Sequence, residues 1–158
     1  YSMIFDADIT VDVSDLELFY EAISNNRADI INGSRLIYKP YAGAMRKLNY
    51  FGNIFFARLL SFIISSYVTD TLCGTKCFKT KDYKIFDEFE ERNKINDLWG
   101  DFNILFSGSL FCLKIIDLPI RYKKREEGVT KMNRRFYFFK NMMITCSKAF
   151  YRFKLKSI

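Results

Sequence analysis

The chain has 158 residues and a mass of 18.7 kDa, room for one domain around one sizeable core. Its 49% hydrophobic and 27% charged residues exclude the disordered and fibrous classes. It contains no histidine and no glutamine, so Ser-His-Asp hydrolysis, Cys-His proteolysis and His-ligated zinc are excluded, and acid-base work falls to carboxylates, lysines, tyrosines or thiols.

The net charge of +7 is uneven: residues 1–127 hold 17 Lys+Arg against 18 Asp+Glu, whereas residues 128–158 hold 8 basic residues and no acid. Such a tail suits an anionic partner. No recognised nucleic-acid motif accompanies it, so the expectation is a membrane surface and no nucleic acid. Cys73, Cys77, Cys112 and Cys146 include no pair of CxxC clusters and read as reduced thiols buried as small apolar groups.

In chain order, Tyr1 to Asp8 reads as a buried strand whose carboxyl end delivers two aspartates. Ser14-Asp-Leu-Glu17 has the capping-box pattern and opens a helix to about Asn25, with Leu16, Phe19, Tyr20 and Ile23 at helical spacing. Ala28 to Asn32 is a second strand, closed by Gly33-Ser34-Arg35. This strand, helix, strand unit implies a parallel pair and an α/β sheet. After Pro40 and Gly43, a helix spans about Ala44 to Ser65, with apolar residues at 44, 48, 51, 55, 59 and 62 marking one buried stripe. Within it, Asn53 and Arg58 interrupt the most apolar run, Tyr50 to Tyr67, and make it a poor spanning helix.

A loop follows over Val68 to Gly74, then a short strand over Thr75 to Phe78 and helices over Asp82 to Arg92 and Trp99 to Ser107. Phe111 to Tyr122 reads as a strand in which Pro119 marks an edge or a bulge. The last helix carries Met132, Phe136, Phe139, Met143, Cys146, Phe150 and Phe153 on one stripe, with Lys140, Lys148, Arg152 and Lys156 off it. Division at residue 131 gives an α/β portion, 1–131, and a basic amphipathic helix, 132–158.

Two places carry chemistry. Asp6-Ala-Asp8 ends a strand with both carboxylates on one side, a hard oxygen pair of the kind that holds a divalent cation together with substrate phosphates. Arg125-Glu-Glu-Gly128-Val-Thr130-Lys131 sets two cations around a glycine turn where a diphosphate could be neutralised. The same residues also suit a solvated turn and a solvated basic loop.

Asp6-Ala-Asp8, Asn32-Gly-Ser-Arg35, Asp70-Thr-Leu-Cys-Gly-Thr-Lys76, Trp99-Gly-Asp101-Phe, Leu118-Pro-Ile-Arg-Tyr122 and Arg125-x-x-Gly-x-Thr-Lys131-Met132 occur in this order. The ordered set resembles family-2 glycosyltransferases, nearest to the branch of dolichyl- and polyprenyl-phosphate sugar synthases. The resemblance implies a partial GT-A, Rossmann-like mixed sheet flanked by helices. It further implies a nucleotide-diphosphate sugar donor, Mg²⁺ or Mn²⁺ at Asp6 and Asp8, a lipid-phosphate or glycan acceptor, and inversion at the anomeric carbon. By the same likeness Arg35, Arg46, Arg125 and Lys131 match positions that contact donor or acceptor phosphates. Asp70 and Asp101 match acidic positions near the acceptor, one of which is the base in relatives with hydroxyl acceptors; Asp101 equally suits stabilisation of a helix N-terminus.

Enzymes of this kind begin further upstream with strands that bind the nucleotide. The chain as given is therefore expected to lack activity alone and to self-associate through an apolar sheet edge at Tyr1 to Phe5. The Gln-x-x-Arg-Trp signature of processive synthases is impossible without glutamine, which favours transfer of a single sugar. The expected location is cytoplasmic, peripheral on the inner face of the membrane. The alternative is a non-catalytic α/β module that binds a membrane through its basic terminal helix.

Overall fold

The computed structural model describes residues 1–6, 10–38, 41, 44–93, 95, 97, 100–123 and 135–155, without the side chains of Glu90 and Arg135. Its centre is Ile30–Ser34 (β2), buried at every position, as a strand is when helices cover both faces of its sheet. Ile31 packs with Phe19, Ala22 and Ile23 of Asp15–Ser24 (α1) on one face. Ile30 packs with Phe78 and Phe86 on the other. Period-two alternation thus splits two adjacent isoleucines between two cores.

The sheet has four strands in the order β1-β3-β2-β4, where β1 is Ser2–Ile4, β3 Lys76–Phe78 and β4 Ile115–Pro119. It is a mixed α/β sheet, as the sequence implies, but the expected pairing of the first two strands is not made. Strand β3 lies between them, antiparallel to both, so β1 and β2 run in the same direction without touching. The central position goes to the segment that can be buried on both faces. All three β3 residues are buried, whereas Met3 and Ile4 of β1 stay exposed at the sheet edge. The first strand is therefore an apolar edge, rather than the buried strand its composition suggests. At the opposite edge β4 pairs parallel to β2, with Pro119 opposite Ser34, where a missing N–H costs no ladder bond.

The capping box at α1 does not form. Ser14 turns its hydroxyl to Asp12 Oδ1 at 2.9 Å, and its side chain caps nothing. Lys47–Ile64 (α2), a 3₁₀ turn over Thr80–Asp82, Tyr83–Asn93 (α3), Asp101–Leu110 (α4) and Arg135–Phe150 (α5), the last continued by a wide turn over Tyr151–Leu155, complete the described elements. The main core lies where α2, α4 and α5 meet: Leu60, Ile63, Phe102, Phe106, Met142 and Cys146 are all buried there. The terminal helix thus packs its inner face into the same core.

Helix α2 buries a different stripe from the one its periodicity suggests. Asn53, Phe56, Ala57, Leu60, Ile63 and Ile64 face inward. Leu48, Phe51, Phe55 and Phe62, expected in the core, are 60, 65, 48 and 62% exposed. The helix is apolar almost all round, so periodicity could not say which side wins, and the polar Asn53 is drawn inward by a partner described below. No helix among the described residues is long and apolar enough to cross a membrane. All four cysteines are unpaired, and Cys112 is exposed rather than buried.

The two faces of α2 and its neighbours give opposite expectations for stability. Phe106 is fully buried, with ring centroids of Phe153, Phe102 and Phe89 at 5.8, 6.0 and 6.5 Å. Phe106→Ala is expected to cost about 3–5 kcal/mol in urea unfolding, whereas Phe51→Ala should stay within about 0.5 kcal/mol, as for an exposed position. A large loss in Phe51→Ala would return the 48, 51, 55 stripe to the core.

Candidate active site

Three strands run in one direction, so their carboxyl ends share one edge of the sheet, the place where α/β sheets bind ligands. Asp6 follows β1, Arg35 follows β2 and Tyr122 follows β4, while Lys76 begins the antiparallel β3 at the same edge. The loop over residues 68–75 lies across these ends. Two glycines let it come close. A Cβ on Gly74 would collide with the Asp6 carboxylate, and one on Gly33 would meet Thr75 O at 2.8 Å and Cys73 Sγ at 2.9 Å. Asp6, the first residue of the DxD pattern, therefore rests on the Asp70 to Lys76 motif.

Asp70 has no exposed surface, and its carboxylate accepts five hydrogen bonds, from Arg35 N (3.1 Å), Arg35 Nε (2.7 Å), Arg35 Nη2 (2.9 Å), Asn53 Nδ2 (2.9 Å) and Leu72 N (3.0 Å). Burial alone would raise its proton affinity, but the Arg35 charge and these donors outweigh it and hold the carboxyl below its ordinary value. Arg35 is shifted up: burial opposes its charge and Asp70 more than restores it. The Arg35 guanidinium carbon also stands 5.2 Å from the centre of the Tyr122 ring. A carboxylate so saturated is a poor proton acceptor, which argues against Asp70 as a base and makes it the group that orients Arg35.

Asp101 has the opposite environment. It opens α4, yet the backbone N–H groups of Phe102 and Asn103 are taken by Asp97 Oδ2 at 2.8 and 2.9 Å, so Asp97 caps the helix and Asp101 turns away. Its Oδ1 accepts from the buried Lys76 Nζ at 2.7 Å. Burial pushes the Asp101 carboxyl up, Lys76 pulls it partly back and Asp97 adds to the rise. A partly exposed carboxyl with raised proton affinity is suited to proton transfer. Cys73, in the same loop, is pushed up to about 12 by burial and the nearby Asp70 charge, and stays a neutral thiol.

Of the other expected residues, Arg46 stands exposed at the N-terminus of α2, with no ion pair among the described residues. Asp8, Arg125 and Lys131 lie outside the described residues. Asp6 is the one described member of the expected metal pair. Among the described residues no group of three or more Cys, Asp or Glu is placed to hold a metal ion. A single hard carboxylate beside phosphate oxygens nevertheless fits the usual mode of Mg²⁺, which takes one or two protein carboxylates and keeps other oxygens. Among the described residues, Asn32 Oδ1, Asn53 Oδ1 and the hydroxyls of Thr71 and Thr75 are buried near this loop without a hydrogen-bond partner.

Sequence reasoning passed over several supports. Asn32 Nδ2 bridges Asp70 O and Asp117 Oδ1, both at 2.8 Å. Asp117 Oδ2 accepts from Thr69 N and Oγ1, both at 2.5 Å, and burial raises the Asp117 carboxyl against these donors. An aspartate inside the apolar run Ile115 to Pro119 was the available signal.

The sequence is 30% identical over 134 residues to a dolichyl-phosphate hexose transferase of Haloferax volcanii, covering 81% of this chain and 52% of that protein. The chain resembles a named sugar transferase. It spans about half the length of that relative. No family model matches the sequence, and no solved structure does.

Removing Arg35 should expose the dependence of Asp70 on it. Because the Asp70 value is depressed from 3.8, the pair's stability is present above that pH and lost as pH falls through the lower, folded value. Arg35→Met is thus expected to cost about 3–5 kcal/mol at neutral pH and less in strong acid, as read by urea unfolding across pH. An equal cost at both extremes would show that the pair's charge contributes nothing.

Proposed function

We propose that this chain is the acceptor-side and phosphate-side portion of an enzyme that transfers one sugar, a hexose, from a nucleotide-diphosphate donor to a lipid phosphate. The observation that carries the reading is the seating of the Asp6 carboxylate on Gly74, which brings a strand-end carboxylate onto the loop holding Arg35, Asp70 and Lys76. Similarity to a dolichyl-phosphate hexose transferase supports the acceptor class. A basic tail favours the cytoplasmic leaflet, where anionic lipids concentrate.

In this reading Asp6 and Asp8 would hold Mg²⁺ or Mn²⁺. Neutralisation of the donor diphosphate is the chemistry such a cation supplies. Arg125 and Lys131 stabilise the charge that grows on the leaving diphosphate. Arg35, fixed by Asp70 through Nε and Nη2, offers its remaining nitrogen to a phosphate oxygen. The acceptor oxygen bonds to the anomeric carbon as the bond to the diphosphate breaks on the opposite side, inverting that centre. A lipid phosphate is already anionic and needs no base. A hydroxyl acceptor would need one, and Asp101, whose carboxyl burial pushes up, is the group assigned that role.

The test uses the full-length protein with radiolabelled nucleotide sugars and polyprenyl phosphate. Asp8→Asn and excess EDTA are each expected to abolish transfer; undiminished turnover in EDTA would overturn the metal assignment. Asp101→Asn is expected to lower transfer by less than about tenfold, because a phosphate nucleophile needs no proton removed. A loss of about 10²–10⁴-fold would instead mark a hydroxyl acceptor.

A further inference from the structure

Strands β1 and β4 form opposite edges of the sheet, yet the chain beyond each comes together past the shared carboxyl ends. Val11 pairs with Tyr122 in an isolated antiparallel bridge, and Lys123 N donates to Thr10 O at 2.7 Å. Two acids on the first segment hold two bases on the second. Asp15, 1% exposed, accepts from Arg121 N at 2.6 Å through Oδ2 and from Arg121 Nη1 at 3.1 Å through Oδ1. Asp12 Oδ2 accepts from Lys123 Nζ at 2.8 Å, while its Oδ1 accepts from Ser14 N and Oγ. Tyr122 lies between the two bases in sequence, with its ring under the Arg35 guanidinium.

The direction of this bridge matters more than its strength. In an antiparallel pair, the residues before Val11 and those after Tyr122 leave on the same side. Asp8 precedes Thr10 by two residues and Arg125 follows Lys123 by two, so each is within about 7 Å of extended chain from the Thr10–Lys123 bond. The bond thus joins the points from which the carboxylate segment and the basic loop depart. Asp15 secures the joint from below, because a buried carboxylate that takes both the backbone N–H and the guanidinium of Arg121 fixes the main chain there and not only a charge. We infer that Asp12, Asp15, Arg121 and Lys123 are positioning residues: they clamp the segment carrying Asp6 and Asp8 to the segment leading into Arg125 and Lys131, and so set the spacing between the two sides of the diphosphate site. The inference rests on the function proposed above for those groups and adds the device that holds them in register.

Asp12→Lys and Lys123→Glu test the clamp in the full-length protein, because they change the local charge in opposite senses. Both are expected to lower kcat/KM for the nucleotide sugar by about fivefold or more, and the combined Asp12→Lys/Lys123→Glu should regain most of the loss. Arg92→Glu, which makes the same charge change as Lys123→Glu on the exposed face of α3, should leave kcat/KM unchanged. Hydrogen exchange reads the joint without activity. In Asp12→Lys the Arg121 amide, whose own acceptor is Asp15, should exchange about fivefold faster, and in the combined variant it should return to the wild-type rate. Faster transfer by Asp12→Lys would show that charge alone acts on the donor and would overturn the clamp. So would a combined variant no better than Lys123→Glu, an Arg121 amide indifferent to Asp12→Lys, or exchange that responds while kcat/KM stays at the wild-type value. A wild-type protein that transfers no sugar would overturn the function proposed for the site, and with it the positioning role, whereas the exchange result would still show whether the two segments are joined.

Discussion

Asp70 is an ionised carboxylate without surface, and a charge in that position is tolerable only if its partners replace the water it has lost. The partners come from three separate parts of the chain: Arg35 after β2, Asn53 from the middle of α2, and Leu72 in its own loop. Satisfying one carboxylate therefore fixes the strand end, the helix and the loop to one another. Asn32 adds a fourth tie by donating to the Asp70 carbonyl, and through Asp117 it joins β4 to the same knot. Loop 70–75 is thereby pinned across the sheet edge, close enough for Gly74 to meet Asp6.

Carboxyl groups around this edge are pushed apart in proton affinity by their surroundings. Asp70, with five donors of which Arg35 supplies three, holds its proton less tightly than an ordinary aspartate. Asp101, for which burial outweighs a single lysine, holds its proton more tightly. One fold thus supplies both a fixed negative charge for orienting a cation and a carboxyl able to exchange a proton. Lys76 links the two roles, since its ammonium bonds Cys73 O inside the loop at 2.5 Å and Asp101 outside it. Asp97 completes the division of labour by capping α4, which releases Asp101 from the helix terminus.

Element types and their order were legible in the sequence because apolar runs of three to five residues and helical spacings are local signals. Pairing was not. Placing β3 between β1 and β2 depends on which strand has two coverable faces, a property of its neighbours. The motifs contain Asp6, Arg35, Asp70 and Asp101, and the three parallel strand ends with the loop across them bring these residues into one region. Their division of labour was illegible, because the saturation of Asp70 depends on Asn53, which the sequence shows only as a polar interruption in an apolar helix. The capping box failed for a similar reason: Asp12 competes for Ser14, and a local bond two residues away displaced the expected one.

Helix α2 is where these constraints meet. Successive residues turn by about 100°, so Asn53 lies about 200° from Phe51 and faces the opposite side. The inner side thus bonds Asp70 while the outer presents aromatic rings. An amphipathic helix ordinarily sends its polar side to water and its apolar side to the core; here the one inward amide is held by a buried charge, and the outward rings are exposed among the described residues. Rotating Phe51 and Phe55 inward would turn Phe56, Leu60, Ile63 and Ile64 out of the core. It would also break the Asn53 bond and leave the Asp70 carboxylate short of a donor, so core packing and the knot at Asp70 agree on which side of α2 faces inward. The register of α2 against the sheet edge and the geometry of Arg35 thus meet at one buried carboxylate.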